Sequence, residues 1–393
     1  MKLIYISHWR FPAEKTHAAF AMKTCEMFAK KGIEVELWTP WRRNRLKGND
    51  PFEYHGVEKL FAIRRLFVLD LTSFVPGSMP FFLLLAVFNL SLFFYALLGR
   101  WSKDTIFYFH DARDALLLSF FSNPKFLEIH DFYKSRVDFI NRLVFQRMSG
   151  FIITTRFKMQ ILEKEFGVSP DKMLYQPNAV DIDLFDIKFS RDDARGALHL
   201  PIDPKIILYT GSLFPWKGVD TLFEAAGFLS KNEVVYFVGG TDEDIEKYKS
   251  KCQNPNIKNV VIIGRRPHQE IPLWLKAADV LVLPNTAQDP VSKYETSPVK
   301  LFEYMVSGAP IVASDLPSVR DIVDEKMVTF FEPDNPGDLA AKINWLLQHQ
   351  QGFYQKVELA KEEVRKYTWE KRTMNILKFA NTLFNKYEQK TSF

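Results

Sequence analysis

Two carboxylates, Glu295 and Glu303, flank the segment Thr296-Ser-Pro-Val-Lys-Leu-Phe302, which reads as the start of a helix. Ser297 is a capping residue type, Pro298 suits the first helical position, and Gly308 closes the far end. A helix opening at Pro298 turns unpaired backbone N–H groups and a partial positive charge toward whatever lies ahead of it, which suits a phosphate. Lys300 adds a full charge nearby. The carboxylates, with Glu303 roughly 7 Å along the helix axis, would repel an anion, so their natural partners are hydroxyl groups. A ligand with a diphosphate in the middle and hydroxyls at both ends, a nucleotide sugar, satisfies every group. The same acids also read as helix-surface residues, Glu295 complementing the dipole and Glu303 pairing with Lys300, and spacing alone does not separate the two readings.

Other groups are placed where strands give way to helices. Leu208-Tyr-Thr-Gly-Ser-Leu-Phe-Pro-Trp-Lys-Gly218 leaves a strand for a helix, with Gly211 permitting close backbone approach and Lys217 within reach of a phosphate. Gly239-Gly240 ends another strand, either for ligand approach or as a tight turn, and Gly264-Arg265-Arg266 ends a third. His130 falls just past the strand-like run Phe126 to Ile129. The first loop, residues 7–18, has no glycine, which excludes the dinucleotide fingerprint and argues against a nicotinamide-dependent dehydrogenase. Its Lys15 and His17 suit an acceptor or a solvated loop. Asp181 and Asp183 read as turn and cap residues rather than metal ligands.

These groups need a scaffold of alternating strands and helices. Strand-like runs at Leu3 to Ile6, Val35 to Trp38, Ile106 to Phe109, Phe126 to Ile129 and Phe151 to Thr154 are followed by a second series. That series runs Ile206 to Tyr209, Val234 to Val238, Val260 to Ile263, Val280 to Leu283 and Ile311 to Ala313, with helices about 18–31 and 219–229. The fold class is α/β with two largely parallel sheets. At 393 residues the chain exceeds one ordinary core. We place an N-terminal Rossmann-like domain at 1–186, a second at 187–366, and a last helix at 367–393. A net charge of +5 fits an anionic substrate or membrane surface, and no dense Lys/Arg run argues for nucleic acid, so none is expected as a partner. Cys25 and Cys252 alone, without metal-ligand spacing, fit a reducing compartment and no zinc site. The opening Met1-Lys-Leu-Ile-Tyr-Ile-Ser7 reads as a strand rather than a signal peptide.

Glu, seven residues, Glu with a trailing Gly308-Ala-Pro-Ile-Val312 resembles the donor-binding motif of the retaining glycosyltransferases of family 4. The resemblance covers nearly the whole chain and is strongest from Ile206 to Val323. It implies the GT-B fold: two Rossmann-like domains facing a central cleft, with the last helix crossing back to the first domain. It further implies that Glu303 holds the nucleotide ribose, that Glu295 contacts the donor sugar, and that the turn Ser297, Pro298, Val299, Lys300 takes the phosphates. Donor contacts from Gly211, Ser212, Lys217, Gly240 and Arg265, and a catalytic set of His130, Lys217 and Glu295, are implied with them. His130 would orient the sugar, while Lys15 and His17 would fall on the acceptor side. Two departures stand out. Ser212 occupies a position where relatives carry Arg, leaving Arg265, Arg266 or Lys300 to compensate, and Ala18 occupies one where glycine is common.

Pro80 to Gly99 is nearly unbroken apolar sequence of bilayer-spanning length, preceded by Arg64 and Arg65 and followed by Arg100 and Lys103. A spanning helix would split one sheet across a membrane, so the run reads as a surface-docking helix or an apolar cover on the sheet. The expectation is a cytoplasmic transferase, peripheral on the inner membrane face, moving a sugar from a nucleotide-sugar donor to a glycan or lipid-linked acceptor in cell-envelope polysaccharide or glycolipid synthesis. It needs neither cofactor nor metal. The alternative is a catalytically silent nucleotide-sugar-binding protein of the same fold.

Overall fold

The computed structural model describes residues 1–13, 15–99, 101–102, 104–130, 138–251 and 259–391, so Arg100, Lys103 and Cys252 lie outside the described residues. The chain forms two compact units, Met1–Gln176 with Trp369–Phe393, and Pro177–Thr368. The first contains β1 (Lys2–Ile6), β2 (Glu34–Pro40), β3 (Ala62–Leu66), β4 (Thr105–Phe109), β5 (Lys125–Ile129), β6 (Gly150–Ile153) and β7 (Met173–Tyr175). They lie parallel in the order β3-β2-β1-β4-β5-β6-β7. Successive side chains take opposite faces: Ile4 and Ile6 enter one core cluster, Leu3 and Tyr5 the other. Both faces are covered, which is why the strands read as apolar runs rather than alternating ones.

The second unit repeats this plan with β8 (Lys205–Thr210), β9 (Glu233–Val238), β10 (Val260–Gly264), β11 (Val280–Leu283), β12 (Ile311–Ser314) and β13 (Thr329–Phe331), in the parallel order β10-β9-β8-β11-β12-β13. The strand order reverses between β1 and β4 in one sheet and between β8 and β11 in the other. At such a reversal the connecting helices diverge, and the C-terminal strand ends open a crevice for ligands. The units divide at Gln176/Pro177 and Thr368/Trp369, not at the 186 and 366 read from the sequence. The reason is packing: Val180 and Phe185 enter the second unit's core, and the Val180 N–H donates to the Tyr367 carbonyl at 2.9 Å. The helix Trp369–Thr391 then belongs with the first unit, where Ile376, Ala380 and Leu383 pack into its core.

The apolar run is the helix Met79–Leu98. Leu84, Leu85, Phe88, Leu92 and Ala96 form a buried stripe against the first sheet, following helical spacing. The buried Asn89 is the inward polar residue of the run. Its Nδ2 donates to the carbonyls of Leu85 and Arg113, and its Oδ1 accepts from the Leu117 N–H. The opposite face leaves Met79, Phe82, Leu83, Leu90, Phe94, Leu97 and Leu98 exposed. The helix is long and apolar enough to cross a membrane by length and composition, yet one face is built into the sheet.

Candidate functional site

In the second unit, the sequence-predicted donor residues fall on the loops after β8, β9 and β10 and on the segment between β11 and β12. Gly211 follows β8 at φ 122°, and a side chain at Gly239 would strike the Gly211 carbonyl oxygen at 2.1 Å, so the two loops pack backbone to backbone. A side chain at Gly218 would meet the Pro284 carbonyl oxygen beyond β11 at 1.8 Å. Gly240 serves a turn packed on Leu213. The helix bearing the motif is Val299–Ser307, closed by Gly308 at φ 82°. Ser297 does not cap it. The Ser297 hydroxyl accepts from the Asn178 N–H (3.1 Å) and its carbonyl from Asn178 Nδ2 (2.7 Å), leaving Pro298 as the residue before the helix. The crossing segment thus pins the helix start, and the Tyr304 hydroxyl, accepting from the Thr210 N–H at 2.9 Å, pins its face to the end of β8.

This anchoring places Lys300 beside Gly211. Its ammonium lies 3.7 Å from the Tyr209 ring centroid, is buried, and has no hydrogen-bond partner among the described residues. A Cβ at Gly211 would sit 2.9 Å from it. Burial first, and then the Lys217 charge, push the Lys300 pKa well below that of an ordinary lysine, with Glu303 opposing. Lys217, whose ammonium lies 3.6 Å from the Trp216 ring centroid, is pushed down to about 7 by burial, although its side chain keeps partial exposure. Two depressed ammonium groups converge without a carboxylate in salt-bridge contact among the described residues. Such a cluster is costly unless an anion completes it. Ser212 is exposed, its carbonyl accepting from the Tyr209 hydroxyl; Arg265 is exposed, and Arg266 faces Glu270 at 3.6 Å.

The carboxylates differ. Glu303 is nearly buried and meets His268 Nε2 at 3.2 Å. This bond raises the His268 pKa against the effect of burial. Glu295 ends the wide helical turn Val291–Glu295 rather than lying in a loop, and is half-buried. His268 escaped the sequence reading, although it follows Arg265-Arg266-Pro267 directly after β10. Among the described residues, no three His, Cys, Asp or Glu side chains form a metal-binding group.

In the first unit, His8 follows β1, His110 follows β4 and His130 follows β5, all at C-terminal strand ends, and His17 opens the helix Thr16–Lys30. His110 Nε2 lies 3.3 Å from His17 Nδ1 and its Nδ1 lies 3.2 Å from the Tyr5 hydroxyl. Burial, and then His130 and His17, hold the His110 pKa well below the usual range. His130 stacks on His110 (4.8 Å) and meets the edge of Phe20 (4.6 Å). Lys15 sits over Trp9, which stacks on His17. Burial opposes charge on His8, but Asp114, 2.9 Å from its Nδ1, raises its pKa. The sequence singled out His17 and His130, and the structure sets His110 against both and His8 at the neighbouring strand end. The repeated sequence pattern of an apolar residue, His and Asp at Phe109-His110-Asp111 and Ile129-His130-Asp131 was the available signal.

Residues 190–366 match the family model for glycosyl transferases group 1. A D-inositol 3-phosphate glycosyltransferase of Catenulispora acidiphila is 29% identical over 48% of this chain and 50% of its own. The UDP-Gal:alpha-D-GlcNAc-diphosphoundecaprenol alpha-1,3-galactosyltransferase of Escherichia coli is 28% identical over 48% of each chain. The chain thus spans about half the length of these curated relatives. Sucrose-phosphate synthase of Thermosynechococcus elongatus superposes with a TM-score of 0.78 at 18% identity, covering 98% of this chain and 99% of that one. The fold is GT-B, built of two parallel-sheet α/β units.

Proposed function

We propose that the chain is a retaining glycosyltransferase of family 4 that takes a nucleotide-sugar donor in its second unit. The observation that carries this reading is the buried Lys300 ammonium, without a hydrogen-bond partner among the described residues, beside Gly211 at the start of the Val299–Ser307 helix. Lys300 supplies the cation missing at Ser212, and a donor diphosphate supplies the anion that Lys217 and Lys300 lack. Glu303 accepts from ribose hydroxyls and Glu295 from the sugar. In a front-face displacement the bond from the anomeric carbon to the diphosphate breaks, the acceptor oxygen bonds on the same face, and the departing diphosphate oxygen takes the acceptor proton. The two lysines and the helix N-terminus stabilise charge growing on that oxygen. The group 1 match over the second unit and the naming of a UDP-sugar by one relative support the donor class.

The acceptor side falls to the first unit, with Lys15, His17 and His130, and a lipid-linked acceptor at the cytoplasmic membrane face. Its support is the exposed apolar face of Met79–Leu98 with arginines at its rim. Thermal-shift screening against a panel of nucleotide sugars, followed by hydrolysis and transfer assays with the stabilising donor, tests the reading. Stabilisation with turnover supports it, stabilisation without turnover leaves a binding protein, and no stabilisation by any donor removes it.

A further inference from the structure

The first unit contains a buried charge network that the donor chemistry does not use. Glu128 on β5 is fully buried, and Arg372, on the Trp369–Thr391 helix, is 1% exposed. Arg372 Nη2 donates to Glu128 Oε1, and the Tyr108 hydroxyl donates to Oε2 at 2.6 Å. Burial opposes charge on Glu128, but Arg372 and then His130 hold its pKa below the usual carboxylate range. The same Oε1 lies 2.7 Å from His130 Nε2, in electrostatic contact with the ring. The Arg372 guanidinium lies over Phe20 (4.8 Å), whose edge meets the His130 ring, and Lys158 donates to the His130 carbonyl. His130 is therefore gripped at ring and backbone by groups that are themselves buried.

Burying an ion pair of this kind is seldom the best way to stabilise a core, since apolar residues of similar volume often do as well. Its geometry points to another use. We propose that Glu128 and Arg372 are positioning residues for His130, so that the C-terminal helix is part of the acceptor-side site. The proposal rests on the transferase reading in giving His130 an acceptor-side role. The ring is fixed by the Glu128 carboxylate on one side and by Phe20, itself backed by Arg372, on another. Glu128→Gln keeps the side-chain shape and removes the charge; Glu128→Gln/Arg372→Met removes both charges and leaves no buried ion unpaired.

Two measurements on the full chain decide the matter. Selective histidine NMR, with His130 assigned by its loss in His130→Gln, reads ring position through the ring currents of Phe20 and His110. The His130 ring resonances are expected to shift in both variants; unchanged resonances overturn the proposal. In transfer assays, Glu128→Gln is expected to lower kcat about tenfold, the low end of what losing the orienting partner of a metal-ligating imidazole costs, with donor KM within about twofold. In a His130→Ala background the same substitution is expected to cost nothing further. Additive losses, or parental turnover despite shifted resonances, overturn the proposal. If the parent binds and turns over no donor, the transferase reading fails, and the resonances alone still decide whether the pair positions the ring.

Discussion

At the residue scale, the proposed donor chemistry of the second unit turns on two lysines whose charge depends on what they meet. Lys217 sits near 7 in the free protein, and Lys300 is also depressed. A bound diphosphate raises both toward ordinary lysine values, so each free-form lysine that is neutral takes up a proton on binding. The sign follows: donor affinity is full below about pH 7 for Lys217 and declines as pH rises through the alkaline range. A diphosphate diester stays ionised throughout, so it adds no titration of its own. Calorimetry at pH 8 in two buffers of different ionisation enthalpy is expected to show net proton uptake; none would separate the lysines from the diphosphate. Lys217→Ala is expected to slow turnover at saturating donor, with partial rescue in Lys217→Arg. On the proposed reading, Glu303→Ala removes a charged acceptor for the ribose and is expected to weaken donor binding by about 1.5–3 kcal/mol, whereas Glu295→Ala is expected to act on turnover. The residue types of this site were legible because the motif is contiguous. His268 and Asn178 were not, since each reaches its partner through tertiary packing that no local spacing reveals.

At the element scale, the strands that announced themselves are the apolar ones, the half-buried edge strand β10 included, and those that did not are short or charged. β3 is an edge strand carrying Arg64 and Arg65, a charged edge that resists further pairing and hides the strand from an apolar pattern. β7 and β13 are three residues each, too short for periodicity to register. The Val299–Ser307 helix was legible in its course and its Gly308 end, but not in its capping. Asn178, from the segment that crosses into the second unit, takes the Ser297 hydroxyl that local sequence offered as a cap. Its placement against β8 runs through Tyr304. Tyr304→Phe leaves the buried Thr210 N–H without an acceptor and is expected to cost about 1–3 kcal/mol. Urea unfolding together with donor titration checks this. A fall in stability with weakened donor binding follows if the bond sets the position of Lys300, and unchanged binding would show that the helix keeps its place without it.

At the scale of the whole molecule, the feature that sheet packing does not explain is how much apolar surface the first unit leaves uncovered. One stripe of the Met79–Leu98 helix suffices to cover the sheet, yet Phe82, Leu83, Phe94 and Leu98 face outward, and Phe67, Leu71, Phe74 and Val75 add to them. Arginines edge this surface: Arg43 lies over Phe74 and Arg64 over Tyr95, keeping their charges beside aromatic rings. Apolar side chains rimmed by cations suit the interface of an anionic bilayer, where burial of the apolar face and attraction to headgroups add. Asn89 argues against complete insertion, because lifting the helix from the sheet strands its bonds to the Arg113 carbonyl and the Leu117 N–H. The helix is then expected to lie in the interface with its inner face still packed. Phe82→Ser/Phe94→Ser/Leu98→Ser, confined to exposed positions, is expected to abolish co-sedimentation with anionic vesicles while leaving donor binding intact. The replacements are outward-facing, so stability should change little. Should the parent protein ignore vesicles and stay monodisperse without detergent, docking through this face is excluded and the donor site is untouched.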